Sequence, residues 1–122
     1  MVRGIRGATT IEANTEQEIV KETKELVAEM IKENKIEPDD VAHVLITVTE
    51  DIDAAFPAKV LREFSGWSYV PVVCAREIPV PGSLPRCIRI LMTVNTNTKQ
   101  DEIGHIYLRE AKKLRPDLSQ NN

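Results

Sequence analysis

The chain has 122 residues, with 16 lysines and arginines against 19 aspartates and glutamates, which gives a formal net charge of −3. Hydrophobic residues make up 42% of it and only two residues are cysteines, a composition typical of one globular domain and unlike disordered, fibrous or disulfide-stapled chains. No apolar run approaches the roughly 20 residues of a membrane helix, and the start lacks a signal-peptide pattern. We therefore expect a cytoplasmic protein with reduced thiols and no membrane contact.

The two halves of the chain differ in charge. Residues 1–53 hold 13 acidic and 6 basic side chains, whereas residues 54–122 hold 6 acidic and 10 basic ones. An acidic protein is a poor candidate for binding nucleic acid, because that affinity depends on neutralising phosphates. An arginine-enriched half in an acidic chain fits a local site for a small anion better.

The first half predicts a strand, a helix and a second strand. Residues 1–10 have a strand pattern, and apolar side chains at helical spacing predict an amphipathic helix over about residues 16–33, whose glutamate and lysine face we expect to be solvated. Thr15 and Glu18 form a capping box at the helix start, in which Thr15 accepts from a helical amide and Glu18 reaches back. Residues 41–49 are β-rich and apolar on both faces, which predicts a central strand covered on each side.

The middle of the chain predicts one short helix and an edge strand. Pro57 at the first helical position and Gly66 just past the end bracket about two turns. Residues 69–74 predict a third strand, in which Pro71 favours an edge or an interface position. Residues 79–85 form a loop stiffened by three prolines.

Residues 86–96 have the clearest strand pattern of the chain. One predicted face carries Ile88, Ile90, Met92 and Val94, and the other carries Cys87, Arg89, Leu91 and Thr93. Residues 100–114 predict a short strand at about 105–108 between two helical turns. The elements together predict an α+β fold, with a mixed sheet of about five strands packed against one long and one short helix. We expect a single domain over residues 1–116 and a polar, mobile tail over 117–122.

Arg89 is the first candidate for chemistry, because its same-face neighbours, Cys87 and Leu91, are apolar or nearly so. A guanidinium in that position must be paired, since an unpaired buried charge is very costly. The partner is either a structural carboxylate or the anionic group of a ligand, held by a planar fork of hydrogen bonds. Arg6, which is flanked by glycines, has a similar character.

Three further charged residues have two interpretations each. Lys59 and Arg62 lie three apart on the short helix and share a face, either as a solvated surface pair or at an anion site. Glu77 is the only acidic residue between Glu63 and Asp101. It is therefore either the partner of a nearby arginine or the acceptor for a ligand hydroxyl.

The chain shows no familiar catalytic signature. Cys74 and Cys87 lack the spacing of a zinc site or a redox pair. No local catalytic-triad pattern and no glycine-rich phosphate loop occurs. The inventory suits simple binding, or a reaction that needs only positioning and electrostatics.

Several segments, read together, resemble one family. They are RGIRGATT at 3–10, FPAK at 56–59, SGW at 65–67, YVPV at 69–72, CIR at 87–89, MTV at 92–94, HIYL at 105–108 and LRPDL at 114–118. In this order they are similar to the monofunctional AroH-class chorismate mutases over essentially the whole chain. The resemblance implies a homotrimer built as a pseudo-α/β barrel, with active sites between adjacent subunits. It also implies an isomerase that converts chorismate to prephenate without cofactor, metal or covalent intermediate.

The resemblance assigns roles to individual residues. Arg89 is expected to donate to the ether oxygen of the substrate, and Arg6 to hold a carboxylate with Tyr107 beside it. Glu77 and the backbone of Cys74 are expected at the ring hydroxyl. The other substrate-binding candidates are the apolar walls Phe56 and Leu114, the rim residues Lys59, Arg62 and Arg115, and the strand residues Val72 and Val73.

Two alternatives stay open at this point. One is an imine deaminase of the Rid type on a similar trimeric scaffold, which also uses an interface arginine for a carboxylate. The other is a non-catalytic trimer that binds a small dicarboxylate as a sensor.

Overall fold

A mixed five-stranded sheet organises residues 1–114, the part of the chain that this computed structural model describes. The strands are β1 (Val2–Thr10), β2 (Val41–Val48), β3 (Val72–Arg76), β4 (Cys87–Asn95) and β5 (Ile106–Tyr107), in the spatial order β3-β2-β4-β1-β5. A long helix, α1 (Glu16–Asn34), follows β1, and 3-10 helices cover Pro38–Asp40, Pro57–Glu63, Gln100–Glu102 and Arg109–Lys113. The predicted α+β fold, with one long and one short helix, is confirmed, whereas the predicted domain end at 116 and the tail lie outside the described residues.

The pairing of the three inner strands sets the geometry of the sheet. β4 runs antiparallel to both β1 and β2, and β3 and β5 pair in parallel fashion at the two edges. In this register Arg89 of β4 lies between Ala8 of β1 and Thr47 of β2. Because side chains alternate along a strand, this row and the row of Arg6 and Leu91 share one face.

The opposite face holds the hydrophobic core against α1. Its fully buried side chains include Ile5, Ile46, Ile88, Ile90 and Met92 from the sheet and Ile19, Leu26, Val27 and Met30 from the helix. The predicted two-sided pattern of residues 86–96 is therefore confirmed. The short 3-10 helix Pro57–Glu63 packs against α1 and β3 and adds Val60 and Leu61 to the buried set.

Burial corrects the prediction for the second strand. β2 is an inner strand, but only Val41, Val44 and Ile46 of it are buried, on the helix side. Leu45 and Thr47 on the other face are partly exposed. β2 therefore has an apolar pattern on both faces, but a single chain buries only the face that points toward the helix.

The ends of two elements also differ from the predictions. Thr15 accepts from the Glu18 amide at 3.2 Å as expected, but the Glu18 carboxylate accepts from the Glu12 amide at 2.6 Å instead of reaching the cap. The Thr15 amide is already satisfied by the Ala13 carbonyl at 2.9 Å. The third strand begins only after Pro71 and lies at the sheet edge, as the proline indicates.

The last segment depends on α1 for its position. Asn34 at the helix end donates to the Gly104 carbonyl at 2.8 Å and accepts from the Gly104 amide at 2.9 Å. β5 then adds to β1 for two residues, between two 3-10 helices, which confirms the predicted short strand. In the described part of the chain, no helix is long and apolar enough to cross a membrane.

Close packing between β1 and α1 predicts a cost for adding one methyl group. A Cβ at Gly7 would lie 2.5 Å from Met30 Sδ and 3.1 Å from Leu26 Cδ1. We expect Gly7→Ala to lower the free energy of unfolding by roughly 1–3 kcal/mol, because overpacking forces the helix or strand to shift. The urea midpoint, measured at one fixed protein concentration, checks this.

The matched control is Gly4→Ala on the same strand. A Cβ there meets only Leu91 Cδ1, at an ordinary contact distance of 3.4 Å. The urea midpoint of Gly4→Ala should therefore equal that of the parent within measurement error, or rise slightly. Met30→Ala should also cost less in the Gly7→Ala background than alone, since it vacates the contested space. Equal costs for the two glycine variants would contradict the packing argument.

Candidate active site

The sheet face opposite α1 carries a cleft of about 260 Å³. We name it the arginine cleft; it is lined by Arg6, Leu45, Thr47, Arg89, Tyr107 and Leu114. The sheet positions most of these side chains, because β1, β2, β4 and β5 each contribute one or two at fixed register. The cleft thus combines two guanidinium groups and a phenol with apolar walls.

Arg89 can line this cleft because its neighbours on the adjacent strands are small. Ala8 and Thr47 flank it in the adjacent strands and leave room for the guanidinium above the sheet. Its Nε lies 3.4 Å from Glu77 Oε2, and Thr47 Oγ1 donates to the same carboxylate. A carboxylate partner is therefore present, but its contact with Arg89 is long. Both interpretations of Arg89, as one half of a structural ion pair and as a group that binds a ligand anion, therefore apply to this site.

The same nitrogen has a second property. Arg89 Nε is buried and makes no hydrogen bond within the part of the chain that the structure describes. Buried donors are normally satisfied, and an exception calls for a ligand, a water or a functional role. The nearest acceptor is the Glu77 carboxylate, so Nε faces that residue while the rest of the half-exposed Arg89 side chain lines the arginine cleft.

Arg6 is held at both its backbone and its side chain. Its amide donates to His105 Nδ1 at 2.9 Å, and its Nη2 donates to Tyr107 Oη at 2.9 Å. Tyr107 packs in a small cluster with Ala8, while Leu114 borders that cluster. Arg6 and Tyr107 therefore form one preassembled pair of donors at the mouth of the arginine cleft.

A second, larger cleft of about 900 Å³ is lined mainly by the edge strand β3 and by residues 52–62. We name it the lysine cleft; it is lined by Phe56, Lys59, Arg62, Val72, Cys74 and Arg76. Lys59 forms an exposed ion pair with Glu16 at 3.0 Å, which is worth little in free energy and leaves the ammonium available. Phe56 is 77% exposed, unusual for a side chain of that size.

One chain therefore divides the predicted site residues into two groups. Arg6, Arg89, Tyr107 and Leu114 line the arginine cleft, and Phe56, Lys59, Arg62, Val72 and Cys74 line the lysine cleft. Glu77 lines neither cleft but contacts Arg89 and Thr47. Val73 points away from its neighbours on the strand and is 63% exposed, and Arg115 lies outside the described residues. No residue of the chain up to position 114 lines both clefts.

Sequence reasoning missed several lining residues. Thr47 and Leu45 line the arginine cleft because β2 pairs with β4 in one particular register, which the sequence pattern does not reveal. Arg76 lines the lysine cleft through alternation with Val72 and Cys74 on the edge strand. The sequence could have predicted the position of Arg76, because Val72, Cys74 and Arg76 alternate along a strand that begins after Pro71.

The two cysteines are separate free thiols. Burial raises the pKa of the Cys87 thiol, and the nearby Arg89 charge lowers it to a smaller extent. Burial also raises the pKa of Cys74, against a weaker opposing hydrogen bond from the Ala58 backbone. Among residues 1–114, no group of three histidine, cysteine, aspartate or glutamate side chains is arranged to hold a metal ion.

Comparison with known proteins defines the class. The family model for chorismate mutase type I matches residues 2–118, so the chain belongs to the type I chorismate mutase family. It is 54% identical over 119 residues to chorismate mutase AroH of Bacillus subtilis (strain 168), covering 98% of this chain and 94% of that protein. It is 53% identical over 119 residues to chorismate mutase AroH of Thermus thermophilus, covering 97% of each.

A solved structure agrees with this assignment. The chorismate mutase from Clostridium thermocellum superimposes with a TM-score of 0.87 at 49% identity, over 90% of this chain and 97% of that one. The resemblance noted in the sequence motifs is thereby confirmed for the family and for the fold of the chain.

The raised thiol pKa values predict slow alkylation of the native protein. Only the thiolate reacts, so a raised pKa lowers the fraction of thiolate at any pH below that raised pKa. We expect both cysteines to react more slowly than in urea at pH 8, with the fully buried Cys87 the slower. The rates should rise at higher pH than for an ordinary thiol.

The Cys74→Ala variant isolates Cys87 for this measurement, and mass spectrometry of the iodoacetamide adduct gives its rate. The same variant in urea serves as the control for intrinsic reactivity. A native Cys87 that reacts as fast as the unfolded chain would contradict the burial.

Proposed function

We infer that the protein is a chorismate mutase, an isomerase that converts chorismate to prephenate by a Claisen rearrangement on the route to phenylalanine and tyrosine. The observation that carries this inference is identity above half, over nearly the full length, to two proteins of that name. The reaction breaks one C–O bond and forms one C–C bond within a single molecule. No atom or electron enters or leaves, so the chemistry requires no cofactor, metal or nucleophile.

Arg89 is the residue we assign to the transition state. Negative charge develops on the ether oxygen as the C–O bond breaks, and the Arg89 guanidinium, held on its central strand in the lining of the arginine cleft, is a fixed donor for it. A donor aimed at charge that exists mainly in the transition state accelerates the chemical step instead of strengthening substrate binding. One such donor is typically worth about 2.7–4 kcal/mol.

The remaining residues of the arginine cleft have binding roles in this proposal. Arg6 and Tyr107, which share a hydrogen bond of 2.9 Å, receive one carboxylate of the dianion. Glu77, which already lies near Arg89, contacts the ring hydroxyl together with the backbone of Cys74, which the lysine cleft contributes. Leu114 supplies an apolar wall that favours the compact, diaxial conformer required for C–C bond formation.

We further propose that the two clefts form one active site between adjacent subunits of a homotrimer. Large apolar side chains are exposed in the single chain: Phe56, Tyr69, Val73, Ile78 and Leu91. Exposed apolar side chains of this size favour association, at roughly 25 cal/mol for each Å² removed from water. The arginine cleft of one subunit would then face Phe56, Lys59, Arg62, Val72 and Cys74 of its neighbour.

Lys59 and Arg62 gain a role from this arrangement. As exposed cations near the rim they attract the dianion, raise its rate of encounter and help to close the site over it. The imine deaminase and sensor alternatives find no support in the comparisons. A reaction on a soluble metabolite of amino-acid synthesis also fits the cytoplasmic location that we propose.

Replacement of Arg89 by lysine tests the assigned role. The parent protein should consume chorismate, followed by its loss of absorbance, with prephenate identified as product. Arg89→Lys should lower kcat roughly 100- to 1000-fold, because an ammonium cannot reproduce the placed guanidinium donor.

Arg3→Lys is the matched control, since Arg3 lies on β1 and donates to the Thr98 carbonyl away from both clefts. It should retain near-parent turnover. An inactive parent would refute the proposed function, whereas near-parent turnover by Arg89→Lys would refute only the role of Arg89.

Mixing two inactive variants tests the shared site. Arg89→Ala disables the arginine cleft, and Lys59→Ala with Arg62→Ala disables the lysine cleft. The two variants are mixed in equal amounts, unfolded and refolded together. If each site needs both clefts from different subunits, about one quarter of the sites in random cyclic trimers are intact. The mixture should then recover about one quarter of parent activity.

Each variant refolded alone is the control for this experiment and should stay inactive. Sedimentation velocity reports the oligomeric state of the same samples. Failure of the mixed trimers to regain activity would mean that both clefts act within one chain.

A further inference from the structure

One buried carboxylate has no part in the chemistry described above. Glu22 of α1 is only 5% exposed and lies against the fully buried Thr9 of β1. Burial of an ionised carboxylate is costly unless the charge is paired and hydrogen-bonded. This also corrects the expectation that the charged face of α1 is entirely solvated.

Arg109 is the partner of this carboxylate. Its Nε donates to Glu22 Oε1 at 3.1 Å and its Nη2 to Glu22 Oε2 at 3.5 Å, while Thr9 Oγ1 donates to Oε1 at 3.5 Å. Arg109 Nη2 also donates to Glu25 Oε2 at 3.0 Å. One guanidinium therefore ties the start of the last 3-10 helix to two carboxylates of α1.

The backbone of Arg109 needs such support. Its φ is +54°, in the left-handed region that residues with a Cβ rarely adopt. The preceding and following residues are tied to β1, since the Leu108 amide donates to the Ala8 carbonyl at 2.9 Å and the Glu110 amide to Thr10 Oγ1 at 3.2 Å. The chain therefore reverses sharply directly after β5, and the ion pair holds the residue at the bend.

Two side chains of the arginine cleft depend on this bend. Tyr107 lies two residues before Arg109 and Leu114 five residues after it, at either end of the 3-10 helix Arg109–Lys113. The fully buried Ala111 packs with Tyr107 between them. Arg109 itself lines a different cleft, together with Glu22, so it does not border the space assigned to substrate.

We infer that Arg109 is a positioning residue, whose ion pair with Glu22 of α1 fixes the bend that places Tyr107 and Leu114 at the arginine cleft. The inference rests on the proposed function, because it assigns the two placed side chains to substrate. It predicts that loss of the pair weakens substrate binding and leaves the Arg89 donor in place.

A neighbouring ion pair supplies the comparison. Lys113 Nζ lies 2.6 Å from Glu110 Oε2 in the same 3-10 helix, with both side chains largely exposed. Exposed pairs of this kind contribute little, since water solvates the separated charges well. Lys113→Ala therefore removes a charge and an ion pair from the same helix without touching the tie to α1.

The first test measures KM and kcat of Arg109→Ala against the parent and Lys113→Ala. We expect KM to rise about tenfold, equivalent to about 1.4 kcal/mol, with kcat within about threefold of the parent. Lys113→Ala should match the parent in both constants. If Arg109→Ala turns over chorismate with the same KM as the parent, the inference is overturned.

The second test asks whether the pair or the backbone strain is responsible. Arg109→Gly accepts a positive φ without strain but lacks the ion pair, so its KM should equal that of Arg109→Ala. Exchange of the two charges in Glu22→Arg/Arg109→Glu should bring KM back toward the parent, while each single reversal raises it. Parent-like KM in Arg109→Gly, or no recovery in the exchanged pair, would overturn the inference.

A readout without substrate separates this inference from the proposed function. Amide hydrogen exchange at Leu108 and Leu114 should be faster in Arg109→Ala than in the parent and unchanged in Lys113→Ala. Unchanged exchange in Arg109→Ala would overturn the positioning role even if the parent is active. If the parent shows no turnover of chorismate, the proposed function is refuted. The exchange measurement then still tests whether Arg109 fixes the bend, because it needs no substrate.

Discussion

The alternation of β4 is the constraint on which the rest of the structure depends. Its even-numbered residues from Ile88 to Val94 are buried against α1, so its odd-numbered residues must face the other way. That requirement puts a guanidinium on a central strand, which the neighbouring strands hold rigid on both sides. A slip of one residue in the pairing would bury Arg89 in the core and expose the apolar set, so the hydrophobic core and the site enforce each other's geometry.

Stiffness of this kind suits an isomerisation without covalent steps. The catalyst then supplies no proton, nucleophile or metal, and only the placement of charge before the reaction begins lowers the barrier. Arg89 and Arg6 lie on adjacent antiparallel strands, whose ladder fixes their spacing. Lys59 and Arg62, to which the proposed function gives the attraction of a dianion, lie on a 3-10 helix instead.

The predictability of each element follows from how local its cause is. α1 and β4 were predicted within a residue or two, because periodicity over one segment determines which face is buried. The faces of β2 were misjudged, since an apolar pattern does not distinguish burial within one chain from surface left for a partner. Arg89 was a candidate from the sequence because a charge among apolar neighbours is conspicuous, and it lines the arginine cleft. Thr47 was missed, because its place beside Arg89 depends on strand register.

The Glu22–Arg109 pair shows the limit of sequence reasoning most clearly. The two residues are 87 positions apart, and each looks like an ordinary surface charge in its own segment. The acidic first half of the chain and the basic second half meet at this contact, so part of the charge asymmetry is structural. β5 pairs with β1 over only two residues, too few to hold a segment that carries two side chains of the site. A helix that already packs the core offers the nearest rigid support, and a buried carboxylate on it gives a directional tie that apolar packing alone does not.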